Sequence, residues 1–167
     1  MPTDLLYTLI IYPIIFILPS WVANGAPVIF GGGTPLDFDK KFMKKPIFGK
    51  HKTIRGTVSG LCAGFLIAFA EYPFLSYMLL TGIMLSIGTI LGDLLGSFIK
   101  RRLSIKEGAS VLLMDQYLFF VFALVFASPF DKLPIPPGIV VLIVLTGVLH
   151  RLTNMLAHKA KIKKVPW

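Results

Sequence analysis

The run LGDLLGSFIKRRLSIKEG, residues 91–108, places one acid, Asp93, after the long uncharged stretch PFLSYMLLTGIMLSIGTI, and follows it with Lys100, Arg101, Arg102 and Lys106. On a helix Asp93, Ser97 and Lys100 stand at i, i+4 and i+7 and share one face. An ionisable group in an apolar helix is costly, and is retained either as half of an ion pair or for function. The same helix carries Gly88, Gly92 and Gly96 at every fourth position. Such a stripe lets a second helix, or a ligand, approach the backbone closely. A second acid, Asp115 in VLLMDQYLFF, lies with Gln116 about one turn into the next apolar stretch. Two carboxylates at similar depth on neighbouring helices suit a hard cation such as Mg²⁺, with positions left for water and phosphate.

A third group is KHKTIRG, residues 50–56, set directly before an apolar segment. Thr53 with the helix start at Arg55 and Gly56 can bind a phosphate at a positive helix terminus, with Lys50 and Lys52 supplying charge. The preceding NGAPVIFGGGTPLDFDKKF is glycine-rich, which suits either a flexible loop or a backbone cradle for an anion. It is not a Walker A loop, because Lys50 is followed by His51 rather than by Ser or Thr. In the tail, His150, Asn154 and His158 follow at i, i+4 and i+8, and the two histidines are two turns apart. That spacing favours solvent- or headgroup-facing side chains over a shared metal. The single cysteine, Cys62, lies in an apolar segment and supports neither a disulfide framework nor a cysteine metal site.

The elements that must carry these residues follow from composition. Of 167 residues, 55% are hydrophobic and only 15% charged, and the mean hydropathy is +0.78. This is a membrane composition. The net charge of +9 arises from basic residues that punctuate apolar runs, a pattern of membrane topology rather than of a nucleic-acid groove. The expectation is an all-α, polytopic integral membrane protein, residues 1–167 forming a single transmembrane domain with about five helices: 5–22, 56–70, 73–99, 111–128 and 137–157. The first segment holds 18 uncharged residues, about 27 Å of helix. It lacks the basic start and small-residue cleavage site of a signal peptide, so it reads as a retained helix, bent at Pro13 and Pro19. Seven Lys and Arg fall in the loop 24–55, four in the loop 100–110 and five in the tail, leaving only Lys132 elsewhere. The positive-inside rule then puts the N-terminus outside, and both basic loops and the C-terminus in the cytoplasm. The polar residues within the helices lie toward that same face, as expected of a multi-pass cell-membrane protein with a cytoplasmic site.

The combination GD-x(3)-SFIKRRLSIKEG, with Gly92, Asp93, Ser97, Lys100, Arg101 and Lys106, resembles the C-terminal signature of CTP-dependent phosphatidate cytidylyltransferases. With NGAPVIFGGGTPLDFDKKF and GKHKTIRG ahead of it and VPW at its end, the chain looks like their shorter archaeal relatives, the CDP-archaeol synthases. It departs from the bacterial pattern at Glu107, where an aspartate follows the lysine, and at Gln116, where Asp115 is followed by arginine. KKPIFG stands where an Asp-Gly-Arg type of element is expected. The resemblance implies a Mg²⁺-assisted transfer between CTP and an unsaturated ether-lipid phosphate taken from the bilayer, giving a CDP-lipid and pyrophosphate, with no role for nucleic acid. It implies that Asp93, Lys100, Arg101 and Asp115 carry the chemistry, with Asp93 and Asp115 holding the metal. It further implies that Asn24, Asp37, Lys50, Lys52, Thr53, Arg55, Gly56, Ser97 and Lys106 contact the nucleotide or its phosphates. Two other classes share these features: a CTP-dependent polyprenol kinase, which transfers the γ-phosphoryl, and a small transporter, which predicts polar residues at the bilayer midplane. Oligomeric state is left open by the sequence.

Overall fold

The computed structural model describes residues 5–109, 111–131 and 133–162. A π-helical turn, Tyr7–Ile11, leads into α1 (Tyr12–Phe30). A long loop with a small antiparallel hairpin, β1 (Lys41–Phe42) and β2 (Lys45–Pro46), connects it to α2 (Ile54–Glu71). A 3₁₀ turn, Ser76–Met78, precedes α3 (Leu79–Arg102), and α4 (Leu112–Ala127) and α5 (Pro136–Lys159) follow. Among the described residues four helical spans, Tyr7–Phe30, Ile54–Glu71, Ser76–Arg102 and Pro136–Lys159, are long and apolar enough to cross a membrane. The fifth helix expected as a span, α4, has 16 residues, only about 24 Å.

The first loop begins later than expected. Asn24, Gly25 and Pro27 read as helix breakers in sequence, yet α1 runs through them to Phe30 with Pro19 and Pro27 inside it. An apolar environment explains this, since a backbone carbonyl freed by proline in a bilayer has no water to turn to and the neighbouring helices re-satisfy it locally. Asn24 therefore sits within α1 and not in the loop. At its other end α2 starts where KTIRG suggests, because Thr53 is the N-cap and its hydroxyl accepts the Gly56 N–H at 3.1 Å.

Small residues set the helix spacing. A Cβ at Gly92 would stand 2.7 Å from the Leu118 carbonyl oxygen and from Phe119 Cα, and one at Gly88 would stand 2.5 Å from the Phe122 oxygen. The glycine stripe of α3 thus receives α4 backbone to backbone. Gly60 and Gly64 of α2 admit α1 and α3 in the same way, against Ala23, Pro27, Ser86 and Ile90. Phe16, Ile17, Met78, Leu85, Phe119, Phe120, Ala123 and Leu142 fill the core. Among the polar contacts of the described residues that cross it are a buried one between Ser20 Oγ and Thr89 Oγ1 at 2.6 Å and a part-buried one in which Trp21 Nε1 donates to Thr146 Oγ1 at 3.0 Å. The second ties α5 to α1. This packing brings the end of α1, the start of α2 and the Asp93 turn of α3 to one end of the bundle, because Gly31 lies against Gly56, and Gly60 against Ile90.

Candidate active site

Two lysine–carboxylate pairs define the charged end of the bundle. Lys52, from the loop just before α2, places Nζ 2.5 Å from Asp93 Oδ2 on α3, with side chains 26% and 34% exposed. Lys100 places Nζ 2.6 Å from Asp115 Oδ1 on α4, at 14% and 23% exposure. Asp93 thus pairs across 41 residues with the first loop, and not with Lys100 on its own face. Asp115 Oδ2 also accepts the Val111 N–H at 2.9 Å, so the same carboxylate that binds Lys100 caps the start of α4. The packing register sets Asp115 opposite the Gly96–Lys100 turn, while Gly92 lies deeper, against Leu118 and Phe119. The two acids are therefore staggered along the helix axes rather than level, each closed by its own lysine.

A narrow cleft opens beside the first pair. It is lined by Pro27, His51, Lys52, Thr53, Gly56, Thr57, Ile90, Asp93 and Leu94. Lys52 and Asp93 span it, and the N-terminus of α2 forms one wall. A second, wider cleft of about 270 Å³ lies beyond the end of α3, between Lys45 and Pro46 of the hairpin and Arg101, Ser104, Ile105 and Glu107. Arg101 is 8% exposed. Its Nη2 donates to the Lys106 carbonyl at 3.3 Å, while its Nε is buried with no partner among the described residues.

The remaining expected residues divide by position. Thr53 and Gly56 line the first cleft, Ser97 is buried one turn from Asp93, and Lys50, Arg55 and Lys106 are exposed at the same end. Asn24 and Asp37 do not line either cleft. Asp37 is committed to its own loop, accepting the N–H of Phe48 at 2.9 Å and of Gly49 at 3.2 Å on Oδ2, and that of Asp39 at 3.1 Å on Oδ1. Burial by itself raises this carboxyl, but the backbone donors of Phe48, Gly49, Asp39 and Asp37 itself outweigh it and hold its pKa below the ordinary value. Asp37 is a brace for the turn that presents Lys52. Pro27, His51, Thr57 and Ile90, which line the first cleft, and Lys45 and Glu107, which line the second, are not among the residues that the sequence singles out as site candidates. Only Glu107 carried a signal, its place next to Lys106 in the KEG that closes the signature.

Among the described residues no three His, Cys, Asp or Glu side chains cluster as a metal site. The donor set nonetheless fits a divalent cation of the Mg²⁺ type, which is held by one or two carboxylates and completes its shell with water and substrate phosphate. Asp93 and Asp115 are both partly exposed, and each is paired with a lysine ammonium group.

Helices able to cross a bilayer, with carboxylates and lysines gathered at one end beneath a basic loop, define a membrane protein with a charged site at one end of its bundle. Comparison with known proteins narrows the class. The family model described as "CarS-like: CDP-archaeol synthase" matches residues 6–167, and the chain belongs to that family. It is 43% identical over 159 residues to the CDP-archaeol synthase of Pyrococcus furiosus, covering 91% of this chain and 95% of the relative. It is 38% identical over 174 residues to that of Methanococcus aeolicus, covering 95% and 97%. A solved structure of an intramembrane enzyme for archaeal membrane lipid biosynthesis superposes with a TM-score of 0.80 at 31% identity, covering 87% of this chain and 94% of that one.

Proposed function

We propose that the chain transfers CMP from CTP to an ether-lipid phosphate, unsaturated archaetidic acid (2,3-bis-O-geranylgeranylglycerol 1-phosphate), forming CDP-archaeol and pyrophosphate. The observation that carries the reading is the convergence of the Lys52–Asp93 and Lys100–Asp115 pairs at one end of the bundle. Membership of a family whose relatives are named CDP-archaeol synthase supports it.

The chemistry follows from charge. CTP and a phosphate monoester together carry about six negative charges near neutral pH, so repulsion must be offset before they can react. Lys52 and Lys100 exchange their carboxylate partners for phosphate oxygens, joined by Arg101 and by the exposed Lys50, Arg55 and Lys106. The N-terminus of α2 adds a positive terminus, with Thr53 and Gly56 shaping it. An oxygen of the lipid phosphate then attacks the α-phosphorus in line. The bond from that phosphorus to the oxygen bridging the β-phosphate breaks, and pyrophosphate leaves with the electron pair. No general base is required, because the attacking group is already an oxyanion. Asp93 and Asp115, freed from their lysines, are the residues that would hold Mg²⁺, which supplies charge neutralisation and Lewis acidity when bound. Ser97, buried one turn from Asp93, offers its hydroxyl to the bound phosphates. The lipid chains stay in the bilayer, and the charged end faces the cytoplasm, where CTP is found.

The test is incubation of purified protein in detergent with Mg²⁺, archaetidic acid and each of the four ribonucleoside triphosphates, followed by mass analysis of the lipid. A CDP-lipid from CTP is the expected product. Formation of a lipid pyrophosphate without cytidine would identify a kinase instead.

A further inference from the structure

We propose that the β1–β2 hairpin is a membrane-docking foot that rests on anionic lipid headgroups beside the charged site. The inference concerns this loop and the bilayer, and does not depend on the reaction proposed above. The hairpin and the turn before it expose apolar side chains that a loop in water has no reason to present: Phe38 at 61%, Phe42 at 52% and Met43 at 74%. Lys40, Lys41 and Lys44 are interleaved with them, also exposed. Apolar side chains set among lysines match an interface whose hydrocarbon edge lies just under a layer of negative charge.

The fold sets the hairpin at that depth. A hydrocarbon core takes about 20 helical residues to cross, and counted from Leu79 the twentieth residue of α3 is Phe98. The Phe42 ring lies 6.3 Å from the Phe98 ring, so the hairpin lies against the helix where it leaves the core. Arg102, one turn on, holds it there. Its guanidinium donates to the carbonyls of Phe42, Lys45 and Pro46, and stands 5.5 Å from the Phe42 ring centroid and 5.0 Å from that of Phe98. Lys45 returns the bond, donating to the Arg102 carbonyl at 2.8 Å and to Ser104 Oγ at 2.6 Å. The clasp uses the inward lysine and leaves Lys41 and Lys44 facing outward. Arg102, read from sequence as a topology signal, is by this account a positioning residue.

The test places a bimane label at Met43→Cys in a Cys62→Ala background, with the full chain in vesicles of neutral lipid or of neutral lipid plus 30% anionic lipid. Nitroxides on shallow and deep acyl positions report depth, and iodide quenching reports water exposure, taken throughout relative to an exposed reference, Lys159→Cys, in the same vesicles, so that repulsion of iodide by anionic lipid cancels. The expected result is shallow quenching at least twofold stronger than deep quenching, with iodide quenching at Met43→Cys at least twofold weaker in anionic than in neutral vesicles. Adding Lys41→Gln and Lys44→Gln should abolish the dependence on anionic lipid, and Arg102→Gln should raise iodide access in both vesicle types. Iodide quenching equal to the Lys159→Cys reference in both lipids would overturn the proposal, as would shallow quenching that ignores lipid charge.

Discussion

Replacing Asp93 by asparagine removes one charge and keeps the shape of the side chain, so it separates the stability of the Lys52–Asp93 pair from its use in chemistry. The pair is short, 2.5 Å, but the two side chains are 26% and 34% exposed. Solvent screening therefore limits its worth to about 1 kcal/mol. For a chain of this size that corresponds to a fall in Tm of about 2–4 °C. Loss of a group that organises charge at a reacting phosphate lowers kcat by about 100- to 1,000-fold. Asp93→Asn should then insert and fold nearly normally while losing at least about 100-fold in CDP-lipid formation. The assay is Tm in detergent beside turnover of CTP with lipid phosphate, completed by Lys52→Gln and the double variant. In the cycle the double variant should regain most of the lost stability and none of the lost activity. Recovery of activity in the double variant, or normal turnover by Asp93→Asn, would refute the reasoning, because either would mean the pair is only a structural link.

Thr53→Val deletes the acceptor for the Gly56 N–H and should cost about 1 kcal/mol, visible in Tm, whereas Thr53→Ser should stay near the parent. Gly92→Val pushes methyl groups into the Leu118 carbonyl and Phe119 Cα, and should destabilise the α3–α4 pair by about 1–3 kcal/mol or more, measured by detergent thermal unfolding. The loop held by Asp37 should be acid-labile in a defined direction, since its folded pKa is depressed. Its stabilisation is fully present above the ordinary carboxylate value of about 3.9 and is lost as pH falls through the lower folded value. Limited proteolysis of residues 31–52 by an acid-stable protease should show that onset, and Asp37→Asn should be cleaved readily across the whole range.

Much of the helical frame is legible in the sequence because a bilayer demands long apolar runs, and PFLSYMLLTGIMLSIGTI or LLYTLIIYPIIFILPSWV leaves little alternative. The start of α2 is legible for a local reason, a threonine followed by a small-residue helix that its hydroxyl can cap. The end of α1 is not, because turn chemistry learned from water misreads Asn24, Gly25 and Pro27 in a bilayer. Within the site, Asp93, Asp115 and Lys100 stand out as charges in apolar surroundings. Their pairing does not, since helical spacing offers Asp93 a partner at Lys100, while the fold gives it Lys52 and hands Lys100 to Asp115. Asp37 shows the same limit. As an acid in a glycine-rich loop it resembles a ligand, and only the positions of Phe48 and Gly49 show that its oxygens serve the backbone. Arg102 is hidden by its neighbours, because nothing in KRR tells which of its three cations turns back to clasp a hairpin 56–60 residues earlier.

The central claim is that attack falls on the α-phosphorus of CTP, and it is tested most directly by position-specific label. Purified protein is incubated with archaetidic acid, Mg²⁺ and CTP carrying ³²P at either the α or the γ position, and the lipid and aqueous phases are separated. The account predicts that α-label enters the lipid in a one-to-one ratio with cytidine and that γ-label is recovered as pyrophosphate. Transfer of γ-label to lipid, with cytidine left in the aqueous phase as CDP, would contradict it.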